Sequence, residues 1–597
     1  MPAPIPQSGE IVLNNVRFKL ARPIIERSID QFPAKIVQGD TRLRDQTLAS
    51  EWVFIGDLTD GSGIKHHVPG EHDRRFWSSE EVVTKYRNRI FNNVAPGNDT
   101  STGAAIVWLG ELGTSNYVYA LEDTKIYRRT GTAPWSTALR VTSSGGKSMS
   151  QYKGNLYAWF TSFYEYSTDG EAFAKITEPG VYAVEFDNLL VKIDAAGVMK
   201  WTTADPADAV DDWLPLNGGI SLVPNTTIQG MVVWRDQHGD PAIIIGTTHG
   251  AYILDYYNER VYPFYLFKYT DPYHCRAMAV WNQDLYISTN RSLLRFTGTA
   301  VIRVWPPLDG VRANRQGRIT DLLCLQHSLL MSMDNAAITA RRGVISSYNG
   351  NGWHNELGTT DENVAFESIA WSNNIMTVAQ SGDEVFTRRM NFTDTTENPL
   401  DTGHDAWIGD GLLYSPYFDA GMPNIDKLAL AVVGDVRDIT IRDPVTDKLT
   451  FSYSLNDADN WATDLAVVNA SGEFTKNFGT SNVGIKFRNI SMRTRIQMSG
   501  TVMPYIIHAK LRYMVIPNEL YAYQFSVDCS AGTGDSSPEE LRAALVAAKD
   551  SETLVTLIMP DPPQTVTGRV AEITGERNAG LQGGNPGVYA VRFVQPV

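Results

Sequence analysis

Cysteine is scarce in this chain: Cys275, Cys324 and Cys529 are the only three in 597 residues. The odd count and the lack of any CxxC spacing argue against a disulfide framework and a cysteine zinc site, and fit synthesis in a reducing compartment. Long apolar runs are missing too, since none approaches the roughly 18 residues a membrane-spanning helix needs. The opening MPAPIPQSGEIVLNN has no basic segment followed by an apolar one, so no Sec-type export signal is expected. Positive charge is in the minority, with 52 Lys and Arg against 67 Asp and Glu and a formal charge of −15. A surface of that sign repels phosphate and disfavours sequence-specific nucleic-acid binding. It remains compatible with DNA sliding past a like-charged wall.

Catalytic motifs are also lacking. There is no GxSxG elbow and no HExxH, and GGKS at Gly145 to Ser148 lacks the earlier glycine of a phosphate loop. His66, His67 and His72, near Glu71 and Asp73, form the one dense histidine group. Three imidazoles so close in sequence suit a metal ion, and the plainer reading is a polar loop at a subunit contact. Asp457 and Asp459 have calcium-loop spacing, but Trp461 stands where a third oxygen ligand belongs and Val468 where the distal Glu belongs, so an ordinary turn is expected. A glycosidase needs only two suitably separated carboxylates, and among so many acidic residues the sequence leaves that class open. No catalytic, cofactor-binding or metal residue is assigned, and no enzyme is expected.

What is present is a mainly β pattern. Glycine (48), tyrosine (26) and tryptophan (14) are abundant, and short runs of Val, Ile, Tyr and Phe recur between Gly, Asn and Asp. From about residue 104 to 394 a two-strand unit repeats at intervals of roughly 33 to 53 residues, the range of propeller blades. Its clearest copies are LYAWFTSFYEY from Leu156, LYISTNRSLLRF from Leu285 and IMTVAQSGDEVF from Ile375. Looser copies start at Tyr117, Leu189, Ala242 and Leu329. Turns such as Gly154-Asn155, Asp187-Asn188, Gln283-Asp284 and Asn373-Asn374 precede them. Feeder strands AAIVWLGE, GMVVWRDQ, AMAVWNQD and SIAWSNN place Trp108, Trp234, Trp281 and Trp371 just ahead of the turn. The copies number seven, so an irregular β-propeller of about seven blades is expected.

The polar stretch TDTTENPLDTGHD near residue 393 reads as a linker. Alternating strands over 406–516 imply an antiparallel β-sandwich or jelly roll. Its aromatics Trp407, Tyr414, Tyr417 and Trp461 are the candidates for an interface or for stacking on sugar rings, with core packing the commoner role for such residues. The last residues read as a small α+β module with one amphipathic helix. There Ser537 caps, Pro538 takes the first position, Glu540 completes a capping box, and Leu541, Ala544, Leu545 and Ala548 share a face. The first hundred residues show little periodicity, and LARPIIERSIDQFPAKIVQGD looks like an extended arm of the kind that packs on a neighbouring subunit. The resulting division is an N-terminal arm and strand region over 1–103, a propeller over 104–394, a sandwich over 395–516 and a docking module over 517–597.

Taken together, the arm with IVQGDTRLRDQTL at Ile36 to Leu48 leading into GDLTDGSGI at Gly56 to Ile64, the irregular propeller, the sandwich and the terminal module resemble tail proteins of tailed bacteriophages, of the nozzle, distal-tail or tail-tip type. The resemblance implies a structural virion protein, made in the host bacterial cytoplasm, that forms a homo-oligomeric ring or cap at the distal tail. Its implied partners are other tail proteins and a host surface polysaccharide or receptor, with DNA only as a passing cargo and no membrane insertion. The alternative is a carbohydrate-binding or carbohydrate-degrading protein that contacts a receptor.

Overall fold

Short apolar runs fenced by turn residues fold as antiparallel strands through nearly the whole chain. The computed structural model describes residues 9–30 and 50–595 except 99–104, 114–116, 131–132, 217–225, 236–238, 257, 308–310, 313–314, 316, 336–342, 359–364, 374, 382–386, 392–406, 440–446, 462–463, 480–483, 499–502, 516–518, 531–535, 552–554, 561–562 and 576–587. The segment IVQGDTRLRDQTL and the linker near residue 393 therefore lie outside the described residues. The chain divides into two compact units, one of residues 1–50, 424–428 and 513–597, the other of 51–423 and 429–512.

In the larger unit, seven four-stranded antiparallel sheets follow one another among the described residues. Their first strands are Ile106–Leu112, Gly146–Tyr152, Tyr182–Phe186, Ile228–Arg235, Met278–Trp281, Arg318–Cys324 and Ala365–Ser372. Each first strand lies against that of the next sheet, and the seventh lies against the first. The sheets are numbered one to seven in this order. The outer strand of sheet seven is Gly97–Asn98, which pairs with Arg388 and Arg389, so the sheet is completed by a segment that precedes sheet one in sequence. The arrangement is mainly β and propeller-like.

The second strand of several sheets is buried from end to end, as in Asn155–Phe160, Leu189–Ile193, Asp284–Ser288 and Leu329–Asp334. Each such sheet is covered on both faces by its neighbours, which is why these strands read as nearly continuous apolar runs rather than as alternation. A core cluster fills each junction. Tyr119, Leu121 and Phe160 join sheets one and two, and Ile106 and Ala120 meet Ala370 and Ala379 where sheet seven returns to sheet one.

The hairpins turn tightly. Lys153 and Gly154, Asp187 and Asn188, and Asn282 and Gln283 all have positive φ, the pattern of the two-residue turn that matches strand twist. Two of these turns sit one residue earlier than the sequence reading placed them, because Tyr152 pairs with Asn155 and Trp281 with Asp284. The aromatic just before the turn clasps the next sheet. Trp234 Nε1 donates to the Gln283 carbonyl at 2.9 Å and Trp281 Nε1 to the Leu325 carbonyl at 2.9 Å. Tyr152 does the same with its hydroxyl, to the Asn188 carbonyl at 2.6 Å.

Residues 57–94 dock on sheet six. A Cβ on Gly61 would collide with the backbone of Gly352 and Trp353, so only glycine permits this approach. Thr84 Oγ1 lies 2.9 Å from His354 Nδ1, and Asn349 Nδ2 lies 3.2 Å from His354 Nε2. Lys85 pairs with the buried Glu356 at 3.1 Å. Two five-stranded sheets follow, with most of their residues in this unit: Ser50–Ile55, Tyr505–Val515, Lys427–Arg437, Gly472–Asn477 and Ile485–Phe487 in one, and Asp464–Val468, Lys448–Leu455, Ile490–Gln497, Asp410–Tyr414 and Ser78–Glu80 in the other. Phe451 of the second sheet meets Phe54 and Phe474 of the first, with ring centroids at 6.3 and 5.3 Å.

The smaller unit is a closed six-stranded barrel. Glu10–Leu13 and Val16–Asp30 join Glu519–Asp528, Val588–Gln595, Pro563–Gly575 and Val555–Pro560. The expected arm is thus a strand as far as Asp30, paired with Glu519–Asp528. Ile11 and Phe18 are fully buried in the barrel core. The helix Pro538–Lys549 forms as its sequence requires: Ser537 Oγ accepts from Glu540 N at 3.3 Å, and Ser537 N donates back to Glu540 Oε2 at 2.8 Å. Leu541, Leu545 and Ala548 join the same core. No helix among the described residues is long and apolar enough to cross a membrane.

Candidate functional site

Tyr414, Tyr417 and Trp461 come together with Trp77 in one buried cluster. Tyr414 and Trp461 meet edge to face at 5.3 Å, and Trp77 lies 6.1 Å from Tyr417. The Arg312 guanidinium covers Tyr414 at 4.2 Å and Trp77 at 5.0 Å and reaches Asp459 at 3.4 Å. Trp461 Nε1 donates to Asp459 Oδ1 at 2.6 Å. Burial raises the pKa of both tyrosines. These rings have 1 to 8% of their surface exposed, so they pack against one another and offer no open face to a sugar. Trp407 stands apart, edge-on to Phe91 at 5.9 Å and only partly buried.

The histidines diverge. His67 faces Asp73 at 3.1 Å between Trp52 and Phe418, His66 points toward Asp457 at 3.7 Å, and His72 Nδ1 accepts from Val68 N. Among the described residues no group of three His, Cys, Asp or Glu side chains is placed to hold a metal ion. Asp457 and Asp459 have positive φ in a turn, and Asn489 Nδ2 donates to Asp457 at 2.9 Å.

The polar constellation that sequence reasoning missed lies where the first strands begin. Five of the seven carry a bulge near their start, at Val107, Lys147, Gln229, Thr320 and Glu367. A bulge leaves one residue out of the ladder and re-aims its side chain. Arg276, two residues ahead of sheet five, pairs with the bulged Glu367 of sheet seven at 2.5 Å, bypassing sheet six. Cys275 beside it has a φ of 53°, a strained conformation for a residue with a side chain.

The Tyr273 ring lies 5.2 Å from the Arg276 guanidinium carbon and 4.7 Å from that of Arg318, the first residue of sheet six. Arg318 also reaches the Tyr273 hydroxyl at 3.4 Å. Asp321 accepts from Ser368 Oγ at 2.7 Å and from Ile369 N at 2.9 Å. Burial pushes its carboxyl pKa up, against these hydrogen bonds and the nearby Arg276. Burial likewise pushes the Tyr182 hydroxyl up to about 12, with Arg276 opposing. No repeated motif announces this group, because its members come from sheets three, five, six and seven. The only sequence trace was the unusual density of aromatic and cationic residues in the YTDPYHCRA segment from Tyr269.

A second buried group joins sheets two and three. Lys192 Nζ meets Glu178 Oε1 and the Pro179 carbonyl, each at 2.8 Å, and lies 4.4 Å from the Trp213 ring. Lys200 holds the same Glu178 oxygen at 2.8 Å. Both are satisfied ion pairs.

No family model matches the sequence, and no curated protein does. Solved structures align with about half of the chain. A structure of the mitotic checkpoint complex aligns at 13% identity over 51% of this chain and 96% of that one, with a TM-score of 0.38. A structure of YCF48 bound to a D1 peptide aligns at 12% identity over 51% and 98%, with a TM-score of 0.37. The computationally designed Ika8 protein aligns at 9% identity over 49% and 98%, with a TM-score of 0.34.

Proposed function

We propose that the chain is a seven-bladed β-propeller bearing a β-sandwich and a barrel module, and that it serves as a structural protein of a bacteriophage tail. In this reading it forms a homo-oligomeric ring or cap at the distal tail that supports assembly, host attachment and DNA passage. The observation that carries the reading is the barrel: strands over 10–30 and 519–595, which flank everything else in sequence, close one module sealed by a capped helix. Such a module gives a rigid body a single docking unit. The cyclic neighbour order of the seven first strands and the outer strand supplied by Gly97–Asn98 support the blade count, and the ring contacts of Phe451 support the sandwich.

With −15 per copy, a ring of such chains repels a passing polyanion rather than holding it. The rival reading is sugar binding through Trp407, Tyr414, Tyr417 and Trp461, and it gains nothing from the last three, whose rings are buried against each other. Immunogold labelling of purified virions tests the proposal. Label at the distal tail is expected, and label confined to the capsid, or none, refutes it.

A further inference from the structure

Arg276 and Arg318 stack on one tyrosine, yet only one of them is paired. Arg276 holds the Glu367 carboxylate at 2.5 Å. Arg318 has no carboxylate within ion-pair distance among the described residues, its one polar contact is the 3.4 Å approach to Tyr273, and its Nε is buried with no hydrogen-bond partner. A guanidinium is charged at every physiological pH and carries five donors in a planar fork. Leaving such a group half-buried and unpaired is costly, and a planar anion in trans removes the cost.

We infer that Arg318, seated on Tyr273 beside the Arg276–Glu367 pair, is a binding site for a single carboxylate at the mouth of the ring of first strands. Carboxylate is favoured over phosphate for two reasons. The twin guanidinium on the same ring already holds a carboxylate, which shows that the local geometry suits one. The neighbouring Glu367 also repels a doubly charged anion more strongly than a singly charged one. The positive charge is local, on a chain whose overall sign is negative, so the site selects an anion that the rest of the surface turns away. The ligand is either a free small carboxylate or a glutamate side chain of a bound peptide. The inference does not rest on the tail-protein reading, and either stands without the other.

Isothermal titration of the full chain with butyrate, with a capped Gly-Glu-Gly peptide and with inorganic phosphate tests the site. Saturable binding of at least one carboxylate probe is expected, with phosphate about tenfold weaker or more. Preference for butyrate assigns a free ligand, and preference for the peptide assigns a protein side chain. Arg318→Met is expected to weaken the binding at least tenfold. Arg318→Lys keeps the charge but loses the fork, so it is expected to weaken binding several-fold even if the Met variant fails to fold. Arg303→Met, on the exposed outer strand Val301–Trp305, leaves it unchanged. Absence of saturable binding by both carboxylate probes, phosphate binding as tight as carboxylate, or full affinity in folded Arg318 variants overturns the inference.

Discussion

Glu178→Gln is the sharpest probe of how sheets two and three are joined. The Lys192 side chain is 2% exposed, and Glu178 is its carboxylate partner at 2.8 Å. Removing that charge strands a buried ammonium, which costs about 3–5 kcal/mol in comparable buried pairs. Lys192→Met is milder, because Glu178 keeps Lys200 at 2.8 Å and that lysine reaches solvent. The methionine also fills the space beside Trp213. About 1–2 kcal/mol is expected for this change, since a partly exposed partner remains to hold the acid.

The pH dependence follows from the same group. Burial lowers the Lys192 pKa to about 8, with Glu178 opposing. The unfolded chain therefore binds the proton more tightly, so this group's contribution to stability rises with pH above about 8. Without Glu178 the folded-state pKa falls further. The deficit of Glu178→Gln relative to wild type thus narrows as the pH approaches about 8 and is level above it. Amide hydrogen exchange in Tyr182–Phe186, Leu189–Ile193 and Met199–Thr202 reads the local stability. Equal losses in the two variants, or a larger loss in Lys192→Met, would refute the reasoning.

Other tests follow from single contacts. Trp281→Phe removes the indole donor to the Leu325 carbonyl and is expected to cost about 1–3 kcal/mol, read as faster exchange in sheets five and six; no change would show that the clasp is idle. Burial, with Lys85 next, holds His354 down to about 3. The unfolded imidazole takes its proton near 6.5, so stability falls as pH drops from about 6.5 toward 3, and His354→Gln is expected to flatten that acid slope by about one proton. An unchanged slope in a denaturation series across this range counts against it. Ellman's reagent is expected to reach Cys324 alone in the native chain, slowly, because its pKa is raised to about 11. Reaction of the buried Cys275 or Cys529 before unfolding contradicts the core assignment.

Legibility differed from element to element for physical reasons. The hairpins were readable because strands covered on both faces need unbroken apolar runs such as LYAWF and LLMSM. The helix was readable because its cap is written in three residues, Ser537, Pro538 and Glu540. Gly97–Asn98 could not be read, since a two-residue edge strand has no periodicity and is defined by its partner, Thr387–Asn391. Val16–Asp30 looked like an arm because Pro23 interrupts the pattern and the register slips twice. The aromatic candidates came from residue type alone, and residue type does not reveal that Arg312, some 150 positions before Trp461 in the sequence, covers them. The Arg276, Arg318 and Glu367 group depends on the packing of successive sheets, which brings together residues more than 40 positions apart in sequence.

Completing sheet seven with Gly97–Asn98 has a bearing on how the polypeptide matures. That strand leaves the ribosome well before its partner Thr387–Asn391 exists, and Val16–Asp30 must wait longer still for Glu519–Asp528. Two early segments thus remain without their pairing edges during most of translation. Pairings of such wide sequence separation slow folding and prolong exposure of sticky surface, so chaperone occupancy during synthesis, and not final stability, is expected to limit the yield of this protein.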